Sequence, residues 1–237
     1  RPTELYTRDA LRSARLVSNP GCYATNMQML IAPMLPYVDP ACPPTVVGIS
    51  GYSGAGTKSG GRPAPGQQPV TLPKIAPEDL HGGVRPYALT DHIHEREARF
   101  HLSRLAGVDV NVAFTPIVAP WFQGIIATAS IPLKTSLTAK NVRELFEEKY
   151  AGEPLVQIQS GVPEIRDIAL QHGFKAGGFQ VHSSGDRVVI VGVIDNLLKG
   201  AATQCLQVRT ASPALPDLQN LNLAMGFDEH AGIPALA

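Results

Sequence analysis

The sequence lacks the features that would point to a membrane or a nucleic acid. No apolar run approaches the length of a bilayer span, and the longest, VVIVGVI and VNVAFTPIVAPW, are as short as strands. Charge of neither sign predominates, since 20 Lys and Arg residues balance 20 Asp and Glu residues. We therefore expect neither a membrane nor a nucleic acid as partner.

Cysteine is also scarce, because the chain has only Cys22, Cys42 and Cys205. An odd and sparse set cannot pair completely and is typical of reduced thiols rather than of a disulfide framework. The sequence begins without an initiator methionine or a targeting segment. We therefore expect it to be a piece of a longer protein.

The apolar patterns that are present predict a mixed fold. The 237 residues are 44% hydrophobic, which suits one large domain or two small ones. Strand-like segments cluster in the middle of the chain and are mostly joined by short turns. Helical spacing is found at 22–35, 94–107, 139–150 and 196–208. This order predicts an α+β fold with a mixed, largely antiparallel sheet rather than a doubly wound parallel one.

Cys22 is the first candidate for chemistry, because it follows Asn-Pro-Gly and opens an amphipathic run. At a helix N-terminus, the dipole and the unpaired backbone N–H groups favour the thiolate, which is the nucleophilic form. The same N–H groups can hold an oxyanion, and Gly21 allows a substrate to approach closely. The alternative interpretation is a buried structural cysteine.

The segment TDHIHERE, residues 90–97, supplies His92, His94 and Glu97. In a strand the two histidines would face the same way, and histidine is the usual acid or base beside a nucleophilic cysteine. One alternative is a pair of surface histidines at a helix start. The other is a metal site, but the spacing is not that of a helical HExxH motif and no cysteine pair supports it.

Residues 51–74 are rich in Gly, Pro and Ser and are predicted to form a long loop. Backbone amides of the segment GISGYSGAGTKSGG, residues 48–61, can make a nest for a phosphate, with Lys58 adding a charge, although the composition is more typical of a surface loop. The segment does not match a P-loop or a dinucleotide fingerprint. Asn196, at a strand-to-helix junction, can cap the helix or bind a ligand over its end.

Four motifs taken together resemble a known family. SNPGCYAT, SGYSGAG, YALTDHIHERE and DNLLKGAATQ, in this order, resemble N-acetyl-gamma-glutamyl-phosphate reductases of arginine biosynthesis, from about Val17 to Gly226. The wording LHGGVRPYALTDHIHERE is similar to the fungal mitochondrial branch, whose reductase is made fused behind an N-acetylglutamate kinase. The resemblance implies a catalytic and dimerisation domain like that of glyceraldehyde-3-phosphate dehydrogenase, with the helices on one face of the sheet.

The resemblance also implies an activity. It is the NADPH-dependent reduction of an acyl phosphate to N-acetylglutamate semialdehyde through a cysteine thioester. The setting implied is the mitochondrial matrix, and the assembly is a homo-oligomer, either dimer or tetramer, with the kinase as a further partner.

Carried onto this sequence, the resemblance assigns roles to individual residues. Cys22 is the nucleophile, His92 is the acid or base with His94 as the alternative, and Glu97 orients a histidine or binds substrate. The residues implied to bind the cofactor are Ser50, Gly51, Ser53, Gly54 and Asn196. Those implied to bind substrate are Asn19, Tyr87 and Lys58.

One part of the family pattern is missing from the sequence. The Gly-rich dinucleotide-binding half that precedes the cysteine in the family has no counterpart among these residues. We therefore expect residues 1–18 to end that missing domain, 19–195 to be the catalytic and dimerisation domain, and 196–237 to form a helix and tail that return to the cofactor domain. The alternatives are an aspartate-semialdehyde dehydrogenase-type enzyme, a cofactor-independent Cys/His acyl transferase and a non-catalytic dimerisation module.

Overall fold

The computed structural model describes residues 3–5, 19–55, 76–203 and 228–236. Lys58, Cys205, most of the predicted loop at 51–74 and the end of the predicted helix at 196–208 lie outside these ranges. None of the helices in the described ranges has both the length and the apolar character needed to cross a bilayer.

The α-helices of the described ranges are α1 (Cys22–Ile31), α2 (Ile93–Ala106) and α3 (Ala139–Lys149). α1 continues into a 3-10 helix (Ala32–Tyr37) that contains Pro36. α2 ends at Gly107, which adopts the left-handed region with φ 72°. The Thr138 side chain accepts a hydrogen bond from the Asn141 N–H and caps α3. The sequence predicts Gly107 as the C-cap of one helix and Thr138 as the N-cap of the next, and both caps are confirmed.

A seven-stranded sheet forms the other layer, in the order β2-β3-β1-β4-β7-β6-β5. The pairs β1–β3 and β5–β6 are parallel and the other pairs are antiparallel, which confirms the mixed, largely antiparallel prediction. The strands are β1 (Thr45–Gly51), β2 (Arg85–Pro86), β3 (Ala113–Ala119), β4 (Ile125–Pro132), β5 (Val156–Ile158), β6 (Phe174–Val181) and β7 (Arg187–Ile194).

Three local predictions need correction. The apolar run TVVGIS, residues 45–50, predicts a buried strand, but β1 is buried on one face only: Val46 is buried, whereas Val47 is 37% exposed. The segment GFQVHSS predicts a strand that begins at Gly178, but β6 begins at Phe174 and carries an irregularity between Gly177 and Gln180. After β7 the chain forms a π-helix (Leu198–Ala202) instead of starting an α-helix.

The strand ends meet at one edge of the sheet. Gly51 pairs with Ala119 of the parallel strand β3, and Ser50 pairs with Ile125 of β4. Ile194 of β7 pairs with Ile125 on one side and with Phe174 on the other. The segments that follow β1, β3 and β7 and precede β4 and β6 therefore lie along the same edge.

α1 lies at the centre of the helical layer, and all its residues from Tyr23 to Ile31 are buried. It rests on β7 at Gly192, whose carbonyl accepts a hydrogen bond of 3.2 Å from Nδ2 of Asn26. A Cβ atom added to Gly192 would lie 2.8 Å from Oδ1 of Asn26 and 2.9 Å from the Leu30 side chain. The glycine therefore sets how closely α1 approaches the sheet.

We expect Gly192→Ala to lower the free energy of unfolding by about 1–3 kcal/mol, because the added methyl group overpacks the contact between α1 and β7. Urea denaturation measures the loss. The matched control is Gly161→Ala, since a Cβ atom there meets nothing within 4 Å. Equal midpoints for the two variants would contradict a tight contact at Gly192.

Candidate active site

Cys22 is the first residue of α1, as the sequence predicts, and Gly21 is its N-cap with no side-chain cap bond. Cys22 is mostly buried whereas Cys42 is exposed, and neither is paired in a disulfide. A Cβ atom added to Gly200 would lie 2.6 Å from the Cys22 Cβ, so the π-helix touches the cysteine directly. The thiol therefore stands at a helix start with the turn after β7 against it.

His94 and Glu97 of α2 meet the residue just before the cysteine. A Cβ atom on Gly21 would lie 2.0 Å from Nε2 of His94, so only glycine leaves room for this imidazole ring. The Gly21 N–H donates a 3.0 Å hydrogen bond to Oε2 of Glu97. The packing of α2 on α1 thus brings a histidine and a carboxylate to the start of the cysteine-bearing helix.

His92 has a different position from the one expected for a strand residue. It is the N-cap of α2, and its Nδ1 accepts a 3.1 Å hydrogen bond from the His94 N–H. A neutral His92 therefore carries its proton on Nε2. The centroids of the His92 and His94 rings are 4.8 Å apart, and Tyr87 flanks His92 at 5.8 Å.

Burial governs the ionisation of this cluster. It lowers the pKa of His94 to about 4, with the nearby His92 adding to the effect, and lowers the pKa of His92. Burial raises the pKa of Glu97, although the hydrogen bond from Gly21 opposes the shift. Both histidines are thus neutral at pH 7, and Nδ1 of His94 has no hydrogen-bond partner within the described ranges.

The expectation of an intrinsically acidic Cys22 thiol is wrong for this chain. The backbone N–H groups of Tyr23 and Cys22 lower its pKa, as a helix start should. Burial outweighs them and, with a smaller contribution from the Glu97 charge, raises the pKa of Cys22 to about 11. The resting pair is therefore a thiol and a neutral imidazole.

The predicted cofactor residues form a second cluster at the strand-end edge. Asn196 accepts a 2.7 Å hydrogen bond from the Gly124 N–H and donates a 2.9 Å bond to the Ser53 hydroxyl. A Cβ atom on Gly54 would lie 2.9 Å from Oγ of Ser50, and one on Gly51 would lie 2.5 Å from the Phe122 carbonyl oxygen. Ser50, Gly51, Ser53, Gly54 and Asn196 are thus brought together.

The three residues predicted to bind substrate do not form one cluster among the described residues. Tyr87 stands beside His92, and burial raises its pKa to about 12. Asn19 is three residues before the cysteine, and its Oδ1 is buried without a hydrogen-bond partner in the described part of the chain. Lys58 is outside the described residues.

Asp195 is a residue of this site that the sequence reasoning missed. It is fully buried, and its Oδ1 accepts bonds from the N–H groups of Leu197 and Leu198 at 2.8 and 3.1 Å. Its Oδ2 accepts bonds from Gln123 Nε2 at 2.6 Å and from the Leu170 N–H at 2.8 Å. Its place beside Asn196 at the end of an apolar strand is the signal that could have identified it.

The described residues contain no group of three His, Cys, Asp or Glu side chains that could hold a metal ion. The arrangement instead suits acyl transfer, because a thiol at a helix start has amide donors and an imidazole around it.

Comparisons with known proteins place the chain in a family. The family model described as semialdehyde dehydrogenase, dimerisation domain, matches residues 22–196. The mitochondrial protein arg11 of Schizosaccharomyces pombe is 47% identical over 97% of this chain and 22% of its own length. The N-acetyl-gamma-glutamyl-phosphate reductase of Stenotrophomonas maltophilia is 42% identical over 96% of this chain and 62% of its own length.

A solved structure supports the same fold. Aspartate semialdehyde dehydrogenase II of Vibrio cholerae superposes with a TM-score of 0.63 and 18% identity, over 85% of this chain and 64% of that chain. The chain thus spans about a fifth of the fungal relative and about three fifths of the bacterial one.

We expect Cys22 to be alkylated by iodoacetamide at least about tenfold more slowly than the exposed Cys42 at pH 8, because each unit of raised pKa reduces the thiolate fraction tenfold. The rate at Cys22 should still be rising at pH 10. Peptide mass spectrometry reads each cysteine separately. Equal rates and parallel pH profiles for the two thiols would contradict a buried Cys22 with a raised pKa.

Proposed function

Because the chain belongs to the semialdehyde dehydrogenase family through its dimerisation domain, we propose that it is the catalytic portion of an N-acetyl-gamma-glutamyl-phosphate reductase. The observation that carries the proposal is the cysteine at the start of α1, enclosed by a histidine, a carboxylate and backbone amides. The name of the bacterial relative, which is 42% identical over 96% of this chain, supports the choice of substrate.

The first step is acyl transfer to the protein. The Cys22 sulfur attacks the acyl carbon, a thioester bond forms, and the bond from carbon to the phosphate oxygen breaks so that phosphate leaves. His94 takes the thiol proton as the sulfur attacks, since the raised pKa of Cys22 keeps the thiol protonated beforehand. The amides of Cys22 and Tyr23 stabilise negative charge at the start of α1.

Among the two histidines, the geometry favours His94 as the acid and base. Its ring contacts Gly21, next to the nucleophile, and its Nδ1 is without a hydrogen-bond partner in the described part of the chain. Nδ1 of His92 is engaged in capping α2 and thereby orients the backbone at His94. After proton transfer, His94 is an imidazolium that can protonate the oxygen of the thiohemiacetal formed at Cys22.

The cluster around Asn196 fits the nicotinamide end of a cofactor. The Asn196 amide has one further N–H, and the Ser53 hydroxyl lies beside it. Gly54 packs closely on this cluster, since a Cβ atom there would lie 2.9 Å from Oγ of Ser50 and 3.5 Å from Nδ2 of Asn196. When bound, the nicotinamide cofactor supplies the hydride that reduces the thioester, and we propose NADPH from the resemblance. No pyrophosphate-binding fingerprint is found in the sequence.

Asn19, Tyr87 and Lys58 are the proposed substrate residues. The unpartnered Oδ1 of Asn19 is a buried acceptor that a substrate amide N–H would satisfy. Tyr87 offers a hydroxyl beside His92, and its raised pKa keeps it protonated as a donor. Lys58 stays a prediction from the resemblance.

The wider setting is part of the same proposal. The family match at 22–196 supports a catalytic and dimerisation domain at 19–195, while the proposed roles of 1–18 and 196–237 rest on the resemblance. Mitochondrial relatives such as arg11 support a mitochondrial location, which we propose to be the matrix. An N-acetylglutamate kinase as partner rests on the resemblance alone.

We propose further that two copies associate through the uncovered face of the sheet. Val47 pairs with Thr115 on β3 and with Thr128 on β4, so uncharged β-branched side chains form a row on that face. Val47 is 37% exposed, and the family match to a dimerisation domain supports a second copy as the occupant.

Charging this face should separate the copies. We expect the native chain to sediment as a dimer or tetramer and Val47→Arg with Thr128→Arg to sediment as a monomer, because the interface would bury unpaired charge. Val108→Arg is the control, since Val108 is 65% exposed at the end of α2, away from the sheet face. A monomeric native chain would contradict the proposal.

The acyl-transfer step can be measured without the cofactor. Incubation with N-acetyl-gamma-glutamyl phosphate should release one equivalent of phosphate per chain and add the acyl mass to the Cys22 peptide. We expect Cys22→Ser to lose this burst while keeping its cooperative unfolding, and Cys42→Ser to retain it. A burst in a folded Cys22→Ser protein, or none in the native chain, would overturn the mechanism.

Separate variants distinguish the histidines in the same assay. We expect His94→Ala to slow the burst by about 10²–10⁴-fold, the usual contribution of a positioned acid or base, and His92→Ala to slow it less. The opposite order would move the role to His92. Adding NADPH should then give turnover in a protein that contains a cofactor domain, which a cofactor-independent acyl transferase would not require.

A further inference from the structure

The turn that contacts Cys22 is a π-helix, a rare form that is often found at functional sites. The Gly200 N–H bonds to the Asp195 carbonyl at 2.8 Å, and the Ala202 N–H bonds to the Leu197 carbonyl at 2.9 Å. Each of these bonds spans five residues and makes the turn wider than in an α-helix. The widened turn presents the backbone of Gly200 to the cysteine.

Contacts from other segments hold both ends of this turn. Asp195 accepts bonds from two N–H groups at its start. At its end, the Thr203 hydroxyl lies 2.7 Å from Nδ1 of His172. These contacts hold the two ends of the turn. Gly200, the residue that faces Cys22, lies between them in the middle of the turn.

A buried ion pair holds the middle of the turn. The Lys199 side chain is completely buried and its Nζ bonds to Oε1 of Glu4, whose side chain is 1% exposed. Glu4 belongs to a 3-10 turn (Thr3–Leu5) near the start of the chain, and Leu5 beside it lies in the hydrophobic core. The pair therefore joins the residue before Gly200 to an anchored segment 195 positions away in the sequence.

Such a pair is a poor source of stability, because removing two charges from water offsets most of their attraction. Because its geometry is directional, the pair can instead hold the backbone at Lys199 in one position relative to Glu4. Lys199 is adjacent to Gly200, and a Cβ atom on Gly200 would lie 3.3 Å from the Cα of Cys22 as well as 2.6 Å from its Cβ. Any shift of Lys199 would therefore be transmitted to the cysteine.

We propose that the Glu4–Lys199 ion pair is a positioning element that holds the π-helical turn against Cys22 and keeps the thiol enclosed. In this role both side chains act through the backbone of Gly200, which contacts Cys22. The importance of this enclosure for catalysis rests on the proposed function, but the enclosure itself can be measured without any substrate.

The test replaces the pair with apolar side chains in the 237-residue chain. Glu4→Leu with Lys199→Met removes both charges of the pair together and should still unfold cooperatively, but the apolar contact that replaces the ion pair is not directional. We expect iodoacetamide to alkylate Cys22 about tenfold faster than in the native chain at pH 8, with the pH profile displaced to lower pH. Cys42 should be unchanged. The reversed pair, Glu4→Lys with Lys199→Glu, should restore slow alkylation.

The matched control removes an exposed ion pair of α3, through Lys140→Met with Glu144→Leu, and should leave Cys22 unchanged. A folded apolar variant with the native rate and profile at Cys22 would overturn the proposal. Should that variant fail to fold, Gly200→Ala decides, because its methyl group would displace the turn from Cys22 directly; a native rate there would overturn it too.

The acyl-phosphate burst separates this proposal from the proposed function. Faster alkylation in the apolar variant, with no burst in the native chain, would overturn only the reductase. A normal native burst with unchanged alkylation would overturn only the positioning role.

Discussion

The burial of α1 is the constraint on which the rest of the site depends. Every residue from Tyr23 to Ile31 is buried, so the helix is fixed between the sheet and α2, and Cys22 at its start cannot move away from either. The same enclosure determines the chemistry. A helix dipole is worth about 0.3–1 kcal/mol, which is less than one pKa unit, whereas burial takes the pKa of Cys22 from 9.0 to about 11.

The start of α2 gives its two histidines, which are two positions apart, different surroundings. Because α2 begins at Ile93, His92 is left outside the helix as its N-cap while His94 lies in the first turn. One ring nitrogen of His92 is therefore engaged with the backbone, and the ring of His94 lies on Gly21. With its pKa lowered to about 4, His94 is neutral at pH 7.

Sequence reasoning succeeded where structure is determined by near neighbours. The end of α2 at Gly107 and the cap of α3 at Thr138 follow from local backbone chemistry and are confirmed. The short turns between successive strands likewise predicted a largely antiparallel sheet, and the motif order identified the family. These features depend on segments of a few consecutive residues, so they can be recognised from the sequence alone.

The features that could not be predicted depend on distant contacts. Glu4 and Lys199 meet across 195 positions, and no local pattern indicates that either is buried. The raised pKa of Cys22 depends on how closely other elements surround it, whereas the helix start that favours the thiolate is visible in the sequence. The π-helix was mistaken for an α-helix because its apolar spacing is similar and its widening depends on tertiary contacts.

The topology of the sheet explains why one short segment can serve two purposes. β7 ends at the same edge as β1 and β3, where β4 and β6 begin, so residues just after Ile194 reach several loops at once. Asp195 is buried and accepts hydrogen bonds from Gln123 and the Leu170 N–H, so it links the loop before β4 to the loop before β6. Asn196, one residue later, joins Gly124 to Ser53. Adjacent side chains thus hold the edge together and shape the proposed cofactor site, so a change at either one alters both.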